Sequence, residues 1–293
     1  MSARSRARFA EVVRRVPIDL ALACQLVAAE ADPDAEGADI ASAFDRLAHE
    51  ARPVLAARVS AARLAAGATA DEPTDDSVLG AAPLDAATAL HESLGLRAGF
   101  AGEQTDYDDL RGSLLPAVLR RRHGLPILLS VVWLEVAGRL GVPAYPIGLP
   151  GHVVVAIGTP RENVLVDPFA GGRLITVHDA AARVRAAGMP FSRAQLAPMT
   201  VEDLLARVLG NIRVLAARTD AVATRLWAVE LALLLPHHPA SLRRERGELR
   251  IRRGDYLDGA RDLVTFADAV EVAEPTAAAA ARAAAMTARA RLN

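Results

Sequence analysis

Lysine is absent from the 293-residue chain, so all 34 positively charged residues are arginines. That excludes a lysine Schiff base and a phosphate-loop lysine. Cysteine occurs once, at Cys24, which rules out an internal disulfide framework and any thiolate-rich metal site. Aromatics make up 4% of residues, so the core has to be assembled mainly from Ala, Leu and Val. Charge excess is missing as well: the net charge of -1 gives no electrostatic footprint for general nucleic-acid binding. No apolar run approaches the ~20 residues of a membrane span; the longest, Ile127 to Leu134, carries Ser130 and stops at Glu135. A globular protein in the cytoplasm is expected, and no cofactor or metal site is predicted.

What is present is mostly helical pattern. Near the start, arginines and an apolar stretch ending at Ala23 and Cys24 are interrupted by Asp19. Leu20, Ala23, Cys24, Val27 and Ala28 recur at helical spacing, so the segment reads as an amphipathic helix rather than an export signal, and Cys24 as a small buried hydrophobe. Ile40, Phe44, Leu47 and Ala48 mark one further apolar face, and Val54, Leu55, Val59 and Leu64 the next. Residues 67–80, acidic and punctuated by Pro and Gly, read as a flexible loop. A helix is expected over 84–94, stopping at Gly95, and a short one over 114–122. The best-defined element opens at Gly124–Leu125–Pro126 and runs to Gly141, with proline at the first helical position where its missing N–H costs nothing.

The period then changes to two. Residues 153–157 and 164–166 are short, branched and apolar around Gly158–Asn163, which predicts a hairpin, with 145–147 and 174–177 as further strands. His152 opens the first strand and Asp167 closes the second. A turn centred at Thr159–Pro160 sets these two side chains nearly opposite, where a carboxylate can fix a histidine tautomer and stabilise imidazolium. A local structural hydrogen bond is the plainer account of such a pair. Helices are expected again over 178–187, 204–217, 221–235, 241–252 and 256–269. Gly247, Gly254, Tyr256 and Ala260 echo a tetratricopeptide repeat, whose small residues let paired helices approach. The tail over 271–293 reads as a frayed helix or disordered.

The central third, GLPILLSVVWLEVAGRLGVPAYPIGLPGHVVV and then VLVDPFAGG, resembles the bacterial SirB-type family of transglutaminase-like proteins with a tetratricopeptide-like C-terminal region. IDLALACQLVAAEADPD and TDYDDLRGSLLPAVLRRRHG extend the resemblance, which covers about residues 10 to 267. It implies an α+β fold: a helix-rich, papain-like domain over 10–198 with a small antiparallel sheet, then tetratricopeptide-like helical hairpins over 199–270. In active members of the wider superfamily a nucleophilic cysteine begins the helix that ends in an LG-[IV]-P turn. Matching both helix ends places Pro126 at that position, while His152 and Asp167 match the superfamily histidine and aspartate.

The missing thiol points to a non-catalytic scaffold that binds a protein or peptide. The rival is a hydrolase or amidase using Ser130, His152 and Asp167, because Ser130 lies one helical turn below Pro126. Its apolar neighbours and its distance from the helix-start N–H groups count against it, and a buried helical serine can bond back to the Pro126 carbonyl.

The resemblance also suggests that Asp106, Tyr107, Asp108, Asp109 and Arg111 line a groove beside His152, although the acidic turn alone reads as a capping loop. Glu135 needs a partner if buried, and Arg139 or Arg120 would serve. Gly171–Gly172 read as a tight turn, Arg120–His123 and Arg243–Arg246 as solvated faces or salt-bridge partners. His237–His238 lie in a loop where metal ligation would require carboxylates that sequence cannot place.

Overall fold

A computed structural model describes residues 3–65 and 80–291; the loop expected over 67–80 lies almost wholly outside them. In chain order the helices are α1 (Ala3–Val12), α2 (Leu20–Ala31), α3 (Ile40–Ala65), α4 (Pro83–Leu90), α5 (Leu115–Arg121) and α6 (Pro126–Arg139). Strands β1 (Ala144–Leu149), β2 (His152–Gly158), β3 (Asn163–Asp167) and β4 (Arg173–Ile175) follow. Then come α7 (Val177–Ala186), α8 (Val201–Arg218), α9 (Val222–Ala232), α10 (Ser241–Arg252), α11 (Tyr256–Val270) and α12 (Pro275–Ala290). The chain divides into two compact units, one of residues 34–204 and one joining 1–33 to 205–293.

The 34–204 unit is built on a four-stranded antiparallel sheet in the order β1-β2-β3-β4. Every residue of β2 is buried, which explains its unbroken VVVAI run: a strand covered on both faces loses the alternation of a half-exposed one. Val154 and Ala156 pack with Ala180 and Val184 of α7. The α6 side contacts β2 at its start, where Ser130 Oγ lies 3.4 Å from the Val153 carbonyl oxygen. Ile127 to Val132, Trp133, Val136 and Ala137 of α6 are all at most 1% exposed, as expected for a helix that is apolar all round.

Two helical expectations change. The apolar faces read on either side of Pro53 belong to one continuous helix, α3, because burial of Phe44, Leu47, Ala51 and Leu55 outweighs the local cost of an interior proline. The helix expected to stop at Gly95 instead widens into a π-helical stretch over His91–Arg97. Gly95 sits inside it because a Cβ there would come within 1.8 Å of the Gly171 carbonyl oxygen.

In the other unit, α1 and α2 pack with the C-terminal helices, whereas the sequence reading grouped residues 10–33 with the first domain. Charged groups that only a tertiary structure can match hold them there. Arg6 bonds Glu30 and Glu230, Arg250 bonds Glu230 and Asp262, and Arg246 bonds Asp262. Arg244 of the same basic cluster stacks 5.5 Å from the Phe266 ring centre. The expected tail is also an ordered helix: Ala278, Ala281, Ala285 and Ala288 of α12 are buried against Leu263, Phe266, Ala267 and Val270. An alanine sequence gives no apolar contrast from which to read that face.

The small-residue contact between α10 and α11 is as anticipated at Gly247, with Gly259 as an unforeseen second half. A Cβ on Gly247 would meet the Gly259 carbonyl oxygen at 2.8 Å, and one on Gly259 would meet Ile251 Cγ1 at 2.7 Å. Gly247→Ala is expected to lower stability by about 1–3 kcal/mol through overpacking, despite alanine's better helix propensity. Urea unfolding followed by Trp227 fluorescence measures it.

Candidate functional site

The start of α6 is held from outside the helix. Leu125 donates its N–H to the Gly112 carbonyl at 2.9 Å, and Pro126 takes the first helical position, buried. One turn on, Ser130 is 0% exposed. Its hydroxyl donates to the Pro126 carbonyl at 2.8 Å, and the Val153 carbonyl lies 3.4 Å away. Both recorded contacts are with backbone oxygens, and neither is with His152.

His152 follows the Pro150–Gly151 corner between β1 and β2, where Gly151 has φ +63°, a left-handed conformation that glycine adopts without steric cost. The β2–β3 turn spans Thr159–Glu162, with Gly158 paired to Asn163, so its centre lies one residue later than the expected Thr159–Pro160. Continuing the register from Val155↔Val166 therefore sets Asp167 opposite Val154. His152 and Asp167 are diagonal neighbours on one face rather than opposite partners, still within side-chain reach.

They do meet. His152 Nε2 lies 2.9 Å from Asp167 Oδ1, with the residues 4% and 2% exposed. The carboxylate is fully engaged: Arg183 Nη2 from α7 donates to Oδ2 at 3.0 Å, and the Phe169 N–H donates to Oδ1 at 3.1 Å. Burial pushes the Asp167 pKa up, but hydrogen bonding and charge from His152, the Arg183 charge and the Phe169 N–H together hold it below the ordinary carboxylate value. Arg183, which sequence reasoning did not single out, is recognisable only once α7 lies across the sheet.

An aromatic pair extends the site. The Phe169 ring centre is 5.9 Å from that of His152 in an edge-on arrangement, and Tyr107 is 6.0 Å from Phe169. Gly102 backs this pair, since a Cβ there would fall 1.8 Å from Phe169 Cδ2. Burial raises the Tyr107 pKa, the Arg183 charge lowers it, and the carboxylates of Asp167 and Asp106 raise it. Tyr107 is thus linked to the His152 neighbourhood through Phe169.

The rest of the acidic turn has mixed roles. Asp106 is a capping residue, accepting from the Glu103 N–H at 2.9 Å, and also meets His123. Asp109 bonds Arg111 and Arg121, while Asp108 is exposed. The Gly171–Gly172 turn lies against Trp133: a Cβ on Gly172 would be 2.6 Å from the indole. His91 Nδ1 holds the Gly171 carbonyl at 2.8 Å.

Glu135 pairs with Arg139 at 2.6 Å, the structural role anticipated for it. His238 Nδ1 is 3.0 Å from the Leu235 carbonyl. Among the described residues no group of three or more His, Cys, Asp or Glu side chains is placed to hold a metal ion. Cys24 is buried in α2 of the other unit.

A helix ending in LGVP, a histidine opening one strand and an aspartate closing the next define a transglutaminase-like protein. The chain belongs to the transglutaminase-like superfamily, whose model matches residues 38–210, and a tetratricopeptide-repeat model matches 212–293. Among its relatives is a UPF0162 protein of Xylella fastidiosa (strain 9a5c), 34% identical over 184 residues, which cover 60% of this chain and 65% of that protein. A UPF0162 protein of Pseudomonas aeruginosa is 31% identical over 142 residues, 46% of this chain and 52% of the relative. Mouse F-box only protein 21 is 29% identical over 127 residues, 41% of this chain and 20% of the relative. No solved structure matches.

Proposed function

We propose that the protein is a transglutaminase-like scaffold with a regulatory role, binding a protein or peptide partner in place of the superfamily's thiol chemistry. The observation that carries this reading is the pairing of Pro126 at the nucleophile position with a sealed hydroxyl one turn below it. Proline has no group to attack an acyl carbon. The Ser130 proton is directed at the Pro126 carbonyl rather than at a base, and its oxygen is 0% exposed, whereas a nucleophile must reach both a base and the substrate. The His152–Asp167–Arg183 cluster then serves to lock β2, β3 and α7 together. The tetratricopeptide region supports the partner-binding half, since stacked helical hairpins present extended recognition surfaces. We place the protein in the cytoplasm, where a chain without disulfides is at home. No helix among the described residues is long and apolar enough to cross a membrane.

The purified chain, incubated with glutamine-containing peptides and a primary amine, is expected to release no ammonia and to form no amide conjugate. It is also expected to leave the peptide bonds intact, while immobilised peptides retain it equally with or without Ser130→Ala. Turnover that disappears in Ser130→Ala would establish the hydrolase or amidase alternative using Ser130, His152 and Asp167.

A further inference from the structure

The protein contains a second histidine–aspartate pair, arranged the other way round from the first. His123 Nδ1 lies 2.7 Å from Asp106 Oδ1. Asp106 is 0% exposed, and its second oxygen is fixed by the Glu103 N–H at 2.9 Å. Arg121 supplies the counter-charge, with Nη2 3.6 Å from Asp106 Oδ1 and 3.2 Å from Asp109 Oδ2.

The histidine backbone is held as firmly. His123 bridges Ala101, and the Ala101 N–H donates to the Arg122 carbonyl at 3.1 Å. Arg122 itself is in the left-handed region at φ +64°, with its guanidinium donating to the Ala98 carbonyl. On the far side, Gly112 cannot carry a Cβ, which would meet the Asp106 carbonyl oxygen at 2.8 Å.

The chemical consequence follows from which nitrogen faces the acid. A carboxylate beside Nδ1 selects the tautomer protonated there, so the neutral ring carries its lone pair on Nε2. Nδ1 lies 2.7 Å from the Asp106 carboxylate and 3.4 Å from Arg121 Nη2, and the much closer carboxylate, an acceptor, takes the ring proton. Nε2 is not among the buried side-chain atoms that lack a partner, and the side chain is 24% exposed. At His152 it is Nε2 that faces the acid, in a side chain 3% exposed.

We propose that His123, oriented by Asp106, is a solvent-facing general base that hydrolyses small activated esters without help from His152 or Ser130. In that step Nε2 removes a proton from a water molecule whose oxygen attacks the acyl carbon. The bond from the acyl carbon to the leaving oxygen breaks with its electron pair, the carboxylic acid and the phenolate or alcohol depart, and the imidazolium returns its proton to the leaving oxygen or to solvent. Water is the one co-reactant, and no oxidant is required. The inference does not depend on the partner-binding reading, which rests on Pro126 and Ser130.

The test is hydrolysis of p-nitrophenyl acetate by the full chain at neutral pH, compared with free imidazole at the same concentration. Positioned acid–base groups contribute roughly 10²–10⁴-fold, so a rate at least about tenfold above imidazole is expected. His123→Asn should bring the rate down to that of free imidazole or below; its amide can still donate to Asp106, so loss of rate does not require loss of fold, and circular dichroism checks this. Asp106→Asn should lower the rate about tenfold or more, and His178→Ala, an exposed control, should leave it unchanged. A wild-type rate no greater than that of imidazole would overturn the proposal, as would a rate that survives His123→Asn in a folded protein. Ester hydrolysis lost with Ser130→Ala but not His123→Asn overturns both this proposal and the partner-binding reading. Glutamine-dependent turnover with the His123 signature intact overturns only the latter.

Discussion

Asp167→Ala is expected to destabilise the 34–204 unit by about 3 kcal/mol or more. The carboxylate is 2% exposed and receives hydrogen bonds from the Phe169 N–H and Arg183 while pairing with His152. Removing it strands the His152 ring nitrogen and the Phe169 N–H in the interior, at about 1–3 kcal/mol for each unsatisfied group. Arg183 is 45% exposed and can turn to water, so it adds little. The same carboxyl contributes a pH dependence whose sign is fixed. Its folded pKa is lowered, so its stabilisation is present in full above the unfolded value of about 3.9 and is lost as pH falls below that through the folded value. Urea midpoints measured from pH 7 down to pH 3 should fall at the acid end in the wild type. In Asp167→Asn that part of the slope should be missing. An acid limb identical in both proteins would show that the pair contributes nothing to stability.

Gly95→Ala is the second large effect, at about 3 kcal/mol or more, and it runs against propensity. Alanine gains about 1 kcal/mol over glycine in a helix interior, yet here its methyl would lie 1.8 Å from the Gly171 oxygen and 2.8 Å from the Gly171 carbon. These are backbone atoms, which cannot rotate aside as a side chain does, so either the π-helical stretch or the Gly171–Gly172 turn has to move. That turn follows Phe169 and carries Gly172 against Trp133, so the displacement reaches both the aromatic pair and the α6 core. A core already at crystal-like density tolerates such overpacking poorly. Unfolding followed by Trp133 fluorescence in a Trp227→Phe background isolates the unit concerned, and a change under 1 kcal/mol would contradict the packing account.

Much of this architecture is legible in one dimension. Proline at the first helical position and glycine at its far end mark α6. The turn residues Pro150 and Gly151 place His152 at the start of a strand, and the alternation from period 3.6 to period two marks the sheet. These are local effects of backbone geometry and burial, so the residues themselves carry them.

What stayed hidden depends on atoms distant in sequence. The β2–β3 turn is centred one residue later than expected, which moves each cross-strand partner by two, and only the folded hairpin reveals that His152 and Asp167 meet diagonally. Arg183 joins them because α7 crosses the sheet, and Gly95 answers to a turn more than seventy residues away. The first two helices follow the C-terminal unit because Arg6 meets Glu230, a match of charges that no periodicity encodes. His123 was visible only as part of a basic cluster; its pairing with Asp106 comes from two loops brought side by side. Local sequence sets which elements form, whereas hydrogen-bond partners and close approaches are long-range contacts decided by how those elements pack.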